Sequence, residues 1–255
     1  MWRAIVRTGT ASESMGLVPH AVVLAGGKGT RLRPFTETLP KPLVPIAGGP
    51  PILEIVLRQL ARQGFGLVTI AIGHLGAQIE AAVGDGARFG LSVDYAVETK
   101  PLGTMGPVIA ILDRLPEHFL VLNGDVLTDL PYAALLGDHV ASAAPLTIGT
   151  YRRQVEVDYG VLEVHGDEVI GFREKPNLDY AVSMGVYGLS RGTLSAYPRG
   201  RPFGFDELVL DLLSQGRSPR SFPFAGFWLD VGRPEDYERA NDDFVRLKPR
   251  FLPDA

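Results

Sequence analysis

Three sets of residues in this chain have types and spacings that could do chemistry. The first is Leu24-Ala25-Gly26-Gly27-Lys28-Gly29-Thr30-Arg31-Leu32-Arg33-Pro34, which puts three glycines and two cations into positions 26–31. Glycines let backbone N–H groups approach an anion without interference from Cβ. Lys28 and Arg31 add positive charge, so the segment reads as a cradle for a polyphosphate. It is not a P-loop, because Gly27-Lys28-Gly29-Thr30 breaks the G-x-x-x-x-G-K-[ST] spacing. It is not a dinucleotide fingerprint either, because Leu32 occupies the third glycine position. An ordinary strand-to-helix turn is the competing reading of the glycines alone.

The second set is a pair of carboxylates. Asp125 closes the apolar run Val121-Leu122-Asn123-Gly124, and Asp230 closes Phe227-Trp228-Leu229. In an open α/β sheet ligands bind beyond the carboxyl ends of the strands. Two hard oxygen ligands plus substrate phosphates make a typical Mg²⁺ site. Each aspartate could instead cap a following helix. The third set is the lysines. The chain has only Lys28, Lys41, Lys100, Lys175 and Lys248 among 25 basic residues. Lys41 stands between two prolines and Lys175 precedes one, so their backbones are restricted. That suits a preorganised contact to phosphate, for which lysine supplies a compact point charge.

The elements that must position these residues follow from hydropathy patterning. Residues 20–25 form an apolar run that stops at Gly-Gly, as a buried parallel strand would. Helical periodicity over 51–62, 76–83 and 104–115 alternates with strand patterns at 67–72, 92–98 and 119–123. This implies parallel βαβ units with helices on both faces of a sheet. Beyond about residue 145 short strands dominate, at 146–152, 160–164, 168–174, 182–189, 221–224 and 227–230. Helices are expected at 205–214 and 234–246, the second opening on Pro234, Glu235 and Asp236. The fold class is therefore α/β. The expected layout is a single domain over 20–255, with a nucleotide-binding half (20–145) and a strand-rich half (146–255).

Composition removes other classes. The 255 residues include no cysteine, which excludes a disulfide framework, a Cys-ligated zinc and a thiol nucleophile. The net charge is −4 with no basic block, so nothing points to nucleic acid. No apolar run reaches the roughly 18 residues of a membrane helix. Residues 1–19 lack the apolar stretch of a signal peptide and read as a disordered tail, or as a start placed too early with Met15 as the alternative. The cytoplasm is the default location. His20 reads as structural.

Taken in order, these segments resemble the sugar-1-phosphate nucleotidyltransferase family over residues 20 to about 245. Leu24–Pro34 with Leu39-Pro40-Lys41-Pro42 resembles the family signature. Glu98 with Leu102-Gly103-Thr104-Met105-Gly106 resembles its base-recognition loop, and Asn123-Gly124-Asp125 its first metal aspartate. Tyr159-Gly160-Val161, Glu174-Lys175-Pro176 and Gly185-Val186-Tyr187 resemble its sugar-pocket strands, and Trp228–Gly232 its second metal aspartate.

The resemblance implies a Rossmann-like, mostly parallel sheet and a reaction between a nucleoside triphosphate and a sugar 1-phosphate. It implies that Leu24, Ala25, Gly26, Gly27, Gly29, Thr30, Arg31, Glu98, Gly103, Thr104 and Asp125 bind the nucleotide. Asn123, Tyr159, Gly160, Glu174, Lys175, Ser183, Gly185 and Trp228 would bind the sugar phosphate. Arg31, Lys41, Asp125 and Lys175 would be catalytic, and Asp125 and Asp230 would hold Mg²⁺. The loop Pro101–Pro107 is most similar to the guanylyltransferase branch, which handles mannose 1-phosphate or a related sugar. Ser183-Met184-Gly185 departs from the usual Asn-Ala-Gly, and the bulk of Met184 leaves the sugar open. Alternatives are a thymidylyl- or uridylyltransferase acting on glucose 1-phosphate or an amino-sugar 1-phosphate, and a catalytically silent sugar-nucleotide-binding protein. A nicotinamide dehydrogenase is disfavoured by Leu32. With the chain ending at Ala255, no C-terminal left-handed β-helix is expected. A homo-oligomer is left open.

Overall fold

The computed structural model describes residues 18–252. The expected N-terminal tail therefore lies, apart from Val18 and Pro19, outside the described residues. The chain runs through β1 (His20–Ala25), α1 (Ile52–Arg62), β2 (Leu67–Ile72), α2 (Gly76–Val83), β3 (Ser92–Val97), α3 (Gly106–Ala110), β4 (His118–Asn123), β5 (Val126–Thr128) and α4 (Tyr132–Ser142). It continues through β6 (Leu146–Glu156), β7 (Val161–His165), β8 (Glu168–Arg173), β9 (Asn177–Ser190), α5 (Arg191–Leu194), α6 (Phe205–Ser214), β10 (Arg220–Phe224), β11 (Trp228–Asp230) and α7 (Pro234–Phe251).

Seven strands form one sheet in the order β10-β6-β9-β4-β1-β2-β3, so both halves of the chain contribute to it. Only β9 runs against its neighbours β4 and β6; every other pairing in that sheet is parallel. The central parallel strands β1, β2 and β4 are buried on both faces, which explains their apolar runs. One face packs Ile52, Leu53, Val56, Leu60, Ile79, Tyr132 and Phe244 from α1, α2, α4 and α7. The other packs Val108, Ile109, Leu208 and Leu212 from α3 and α6.

The chain leaves β1 toward β2 and β3 on one side and returns as β4 on the other. The carboxyl ends of β1 and β4 therefore lie at the switch point of the sheet, where a crevice must open. Gly124 makes the two ends touch: its N–H donates to the Leu24 carbonyl at 2.9 Å. A Cβ at position 124 would meet that same oxygen at 3.0 Å.

Several expectations need correction. The helix expected over 104–115 is α3 followed by a 3₁₀ turn at Leu112–Arg114, because Pro107 sets its first turn and regular helix ends at Ala110. The last helix runs on through Pro249 to Phe251. Strands β6 and β9 are far longer than expected and pair as a ribbon from Leu146↔Leu189 to Glu156↔Asn177. Helix α4 falls in a stretch for which the sequence pattern raised no expectation. Its signal is Leu135, Leu136 and His139 on one face, with Pro131 at the N-cap.

Candidate active site

The glycine-rich segment leaves β1 and turns at Gly29 into a 3₁₀ turn at Thr30–Leu32. Gly29 has φ +62°, and a Cβ there would meet Thr36 Cγ2 at 3.0 Å and Lys41 Cβ at 3.2 Å. The Thr36 hydroxyl donates to the Gly29 carbonyl at 2.7 Å, tying the loop to the segment that carries Lys41. Lys41 opens a second 3₁₀ turn, Lys41–Leu43, behind Pro40. Its side chain is buried and points at the ends of the strands.

Lys41 Nζ donates to Asp125 Oδ2 at 2.5 Å and lies 3.9 Å from Asp230 Oδ1. The two carboxylates meet through strand pairing. Antiparallel β5 and β11 place Asp230 opposite Val126, and the Val231 N–H donates to the Asp125 carbonyl at 3.2 Å. Burial, together with the charge of Asp125, pushes the Asp230 carboxyl above its usual range, against the pull of Lys41 and Arg31. A cavity of about 260 Å³ opens over this cluster, lined by Ala25, Gly27, Gly29, Arg31, Lys41 and Asp125 among others. Gly27 faces open space there.

Glu98 follows β3 and is fixed by its N–H donating to the Ile72 carbonyl at 2.7 Å. Its Oε2 accepts the Leu102 N–H at 3.4 Å, and its Oε1 would lie 3.3 Å from a Cβ on Gly26. The carboxylate thus sits between the start of the phosphate loop and the Leu102–Gly103 turn, and burial raises its pKa. Gly103 packs against the Phe203 carbonyl, and the Thr104 hydroxyl accepts the Phe205 N–H at 3.4 Å.

On the other side, Asn123 packs against Gly185, and the Gly185 N–H donates to the Ser183 hydroxyl at 3.3 Å. The Trp228 ring N–H donates to the Met184 carbonyl at 3.0 Å. Met184 itself is buried in the core, because alternation along β9 turns it away from the face of Ser183 and Gly185. Its bulk therefore does not narrow the crevice, which corrects the inference drawn from it. Tyr187, on the same face as Ser183, received no role from the sequence. Its buried hydroxyl accepts from Ser183 at 3.3 Å, and burial with the charges of Asp125 and Asp230 raises its pKa to about 12.

Tyr159, Gly160, Glu174 and Lys175 are not brought to the carboxylate pair. They stand at the root of the β7–β8 hairpin, a separate two-stranded sheet, with Tyr159 79% exposed. Among the described residues Glu174 and Lys175 make no side-chain hydrogen bond or ion pair. His20 is structural: its Nε2 bonds the Thr69 hydroxyl at 2.8 Å inside the sheet, and burial lowers its pKa.

Among the described residues no cluster of three or more His, Cys, Asp or Glu could hold a metal ion alone. The Asp125 and Asp230 carboxylates nevertheless fit a divalent cation. The position of Lys41 Nζ shows that one cation can face both, and phosphate oxygens and water would supply the remaining ligands. No helix among the described residues is long and apolar enough to cross a membrane.

A glycine-lined pocket and paired carboxylates at the switch point of a mostly parallel sheet define a nucleotide-handling α/β protein. The chain belongs to the nucleotidyl transferase family, whose profile matches residues 20–246. It is 35% identical over 233 residues to mannose-1-phosphate guanylyltransferase of Mycobacterium tuberculosis, covering 89% of this chain and 64% of that protein. It is 31% identical over 240 residues to a UTP–glucose-1-phosphate uridylyltransferase of Synechocystis, covering 86% and 62%. The chain thus spans less than two thirds of the length of these curated relatives. The crystal structure of HddC from Yersinia pseudotuberculosis complexed with GMP-PN is similar with a TM-score of 0.68 and 29% identity, covering 89% of this chain and 99% of that one. Members of this family generally use a divalent metal.

Proposed function

We propose that this protein transfers a nucleotidyl group from a nucleoside triphosphate to a sugar 1-phosphate, releasing pyrophosphate. GTP with mannose 1-phosphate or a related sugar is the favoured pair. The observation that carries the reading is Lys41 held between Asp125 and Asp230 at the floor of a glycine-lined pocket.

A phosphate oxygen of the sugar 1-phosphate attacks the α-phosphorus in line, and the bond to the bridging oxygen of the β-phosphate breaks. No enzyme nucleophile is needed, so catalysis is positioning and charge neutralisation. Backbone N–H groups of Gly26, Gly27 and Gly29 hold the triphosphate, with Leu24, Ala25 and Thr30 shaping the pocket wall. Arg31 and Lys41 offset charge that builds on the transferring phosphoryl group and on departing pyrophosphate. Asp125 and Asp230 would hold a divalent ion, here Mg²⁺, which neutralises phosphate charge when bound. Glu98, Gly103 and Thr104 face the base. Asn123, Ser183, Gly185 and Trp228 line the sugar side, and the hairpin residues Tyr159, Gly160, Glu174 and Lys175 close on the sugar phosphate.

Guanine is favoured because the two relatives named for or bound to guanine nucleotides agree with an acceptor-only carboxylate at Glu98. Uridylyl transfer to glucose 1-phosphate is the second reading, supported by the Synechocystis relative. A cytoplasmic location suits these proposed substrates. The test is a turnover matrix with Mg²⁺ that crosses four nucleoside triphosphates with several sugar 1-phosphates and reads pyrophosphate. Release only with GTP supports the first reading. Nucleotide binding without release from any pair would overturn the enzyme reading in favour of a silent binding protein.

A further inference from the structure

A second cavity, of about 900 Å³, lies between β6, β11 and the start of α7, on the far side of Asp230 from the glycine-rich loop. Five arginines line it: Arg31, Arg152, Arg153, Arg233 and Arg239. Most of the described arginines are held by a carboxylate. Arg152 is held by Asp179 at 2.7 Å and Arg239 by Asp243 at 3.4 Å, as Arg58, Arg88, Arg114, Arg199 and Arg220 are held by other carboxylates. Among the described residues only Arg31, Arg33, Arg153 and Arg233 make no side-chain hydrogen bond, ion pair or ring contact, and three of those four face this one cavity. Asp230 and Asp236 also line the cavity, Asp236 accepting the Arg233 backbone N–H at 2.9 Å. The three arginines without a partner outnumber the two carboxylates of the wall, so the cavity carries a positive excess although the chain as a whole carries −4.

The chemistry of the missing partner follows from the walls. Guanidinium groups match phosphate oxygens in paired, charge-assisted hydrogen bonds. The cavity shares Arg31 and Gly232 with the glycine-lined pocket, so the two adjoin. An anion leaving the first pocket past Arg31 would meet the second. We propose that this cavity is a second polyphosphate site, which takes pyrophosphate or the phosphate tail of a second nucleotide while the glycine-lined pocket is full. Its assignment as a stage in pyrophosphate release rests on the function proposed above; its affinity for polyphosphate does not.

Trp228 borders the cavity, so its fluorescence reports occupancy, and Trp2→Phe makes it the sole tryptophan. With the first pocket saturated by a non-hydrolysable guanosine triphosphate, pyrophosphate and GDP are titrated in separate arms by calorimetry and Trp228 fluorescence. One further equivalent of pyrophosphate is expected. Arg153→Gln/Arg233→Gln is expected to weaken it by about tenfold or more, the scale of lost charge-assisted hydrogen bonds, while changing the triphosphate affinity less than about twofold. Binding of pyrophosphate but not GDP assigns the site to the leaving group; equal binding of both assigns it to a second nucleotide. No further equivalent, or one that the double variant leaves intact, overturns the proposal. If the guanosine triphosphate itself does not bind, the guanylyl reading falls, and pyrophosphate titrated alone still decides the cavity through the same variant.

Discussion

Lys41 and Asp125 are 84 residues apart in sequence, yet the lysine ammonium donates to the aspartate at 2.5 Å. The lysine side chain is only 10% exposed, so the contact couples the turn behind Pro40 to the carboxyl end of β4. Lys41→Met should lower turnover by a factor of about 10²–10⁴, the scale seen when a preorganised electrostatic element is removed. Asp125→Asn should fall in the same range. Wild-type rates in either variant, with the fold verified by circular dichroism, would remove the phosphate-handling role.

Asp230 is held above its ordinary pKa, first by burial and then by Asp125. The folded state therefore binds more protons than the unfolded state between the ordinary and the raised value, so stability falls as pH rises through that window. At pH 7 Asp230 is a net liability that its site retains for function. The Asp230 side chain is nevertheless 47% exposed, so solvent screening keeps the effect small: Asp230→Asn should raise the Tm slightly and abolish turnover. Mg²⁺ with a non-hydrolysable triphosphate should stabilise the wild type more than the variant. A lower Tm for the variant at pH 7 would count against the repulsive pair.

His139 bonds Thr147 and Ser190 at 3.1 Å each and is fully buried. Burial, and then the charge of His118, lower its pKa to about 4. Between pH 6.5 and that value the unfolded chain takes up a proton that the folded one refuses, so stability is lost on acidification. From pH 7 to 5 this amounts to about 2 kcal/mol. His139→Gln should flatten that part of the urea-denaturation profile, whatever its effect at pH 7. An unchanged slope would show that other groups set the acid limit.

A methyl group at Gly29 would strain a left-handed residue by about 1–2 kcal/mol and press on Thr36 and Lys41. Gly29→Ala should therefore raise the KM for triphosphate and lower kcat together, by about tenfold in kcat/KM. Gly27→Ala, which meets open space, should fold normally and affect triphosphate binding alone. Equal effects on Tm from both variants would contradict this division.

The Glu98 carboxylate accepts only. Guanine offers adjacent N1–H and N2–H donors, whereas uracil offers one N–H between two carbonyls. Glu98→Gln should shift the GTP-to-UTP ratio of kcat/KM toward UTP by about 10- to 100-fold, the scale for a mispaired buried polar group. A ratio that does not move would place base selection elsewhere.

Much of the site could be read in advance, because its parts sit where strands end. An apolar run that stops at Gly-Gly or at Asn-Gly-Asp marks both the end of β1 or β4 and the crevice beyond it. Asp230 was legible for the same reason, at the end of β11. Side-chain direction along β9 was not legible. The Ser183-Met184-Gly185 run places a bulky residue in the motif, and only strand alternation within a paired ribbon shows that Met184 faces the core. Nor was the reach of β6 and β9, since their outer halves are exposed and polar and stabilise each other by pairing rather than by burial. The uncompensated arginines around the second cavity were invisible too. Arg153 and Arg233 look like surface charge until the carboxylates that neutralise the other arginines have been accounted for.

The antiparallel match of β5 with β11 also has a temporal side. Asp125 emerges from the ribosome first, and the partner carboxylate follows more than a hundred residues later, when Trp228–Asp230 dock onto Val126–Thr128. A nascent chain with the glycine loop already formed holds only one of the two carboxylates. The carboxylate pair is thus complete only once β11 has been made and has docked, and a nascent chain short of that strand is expected to stay inert.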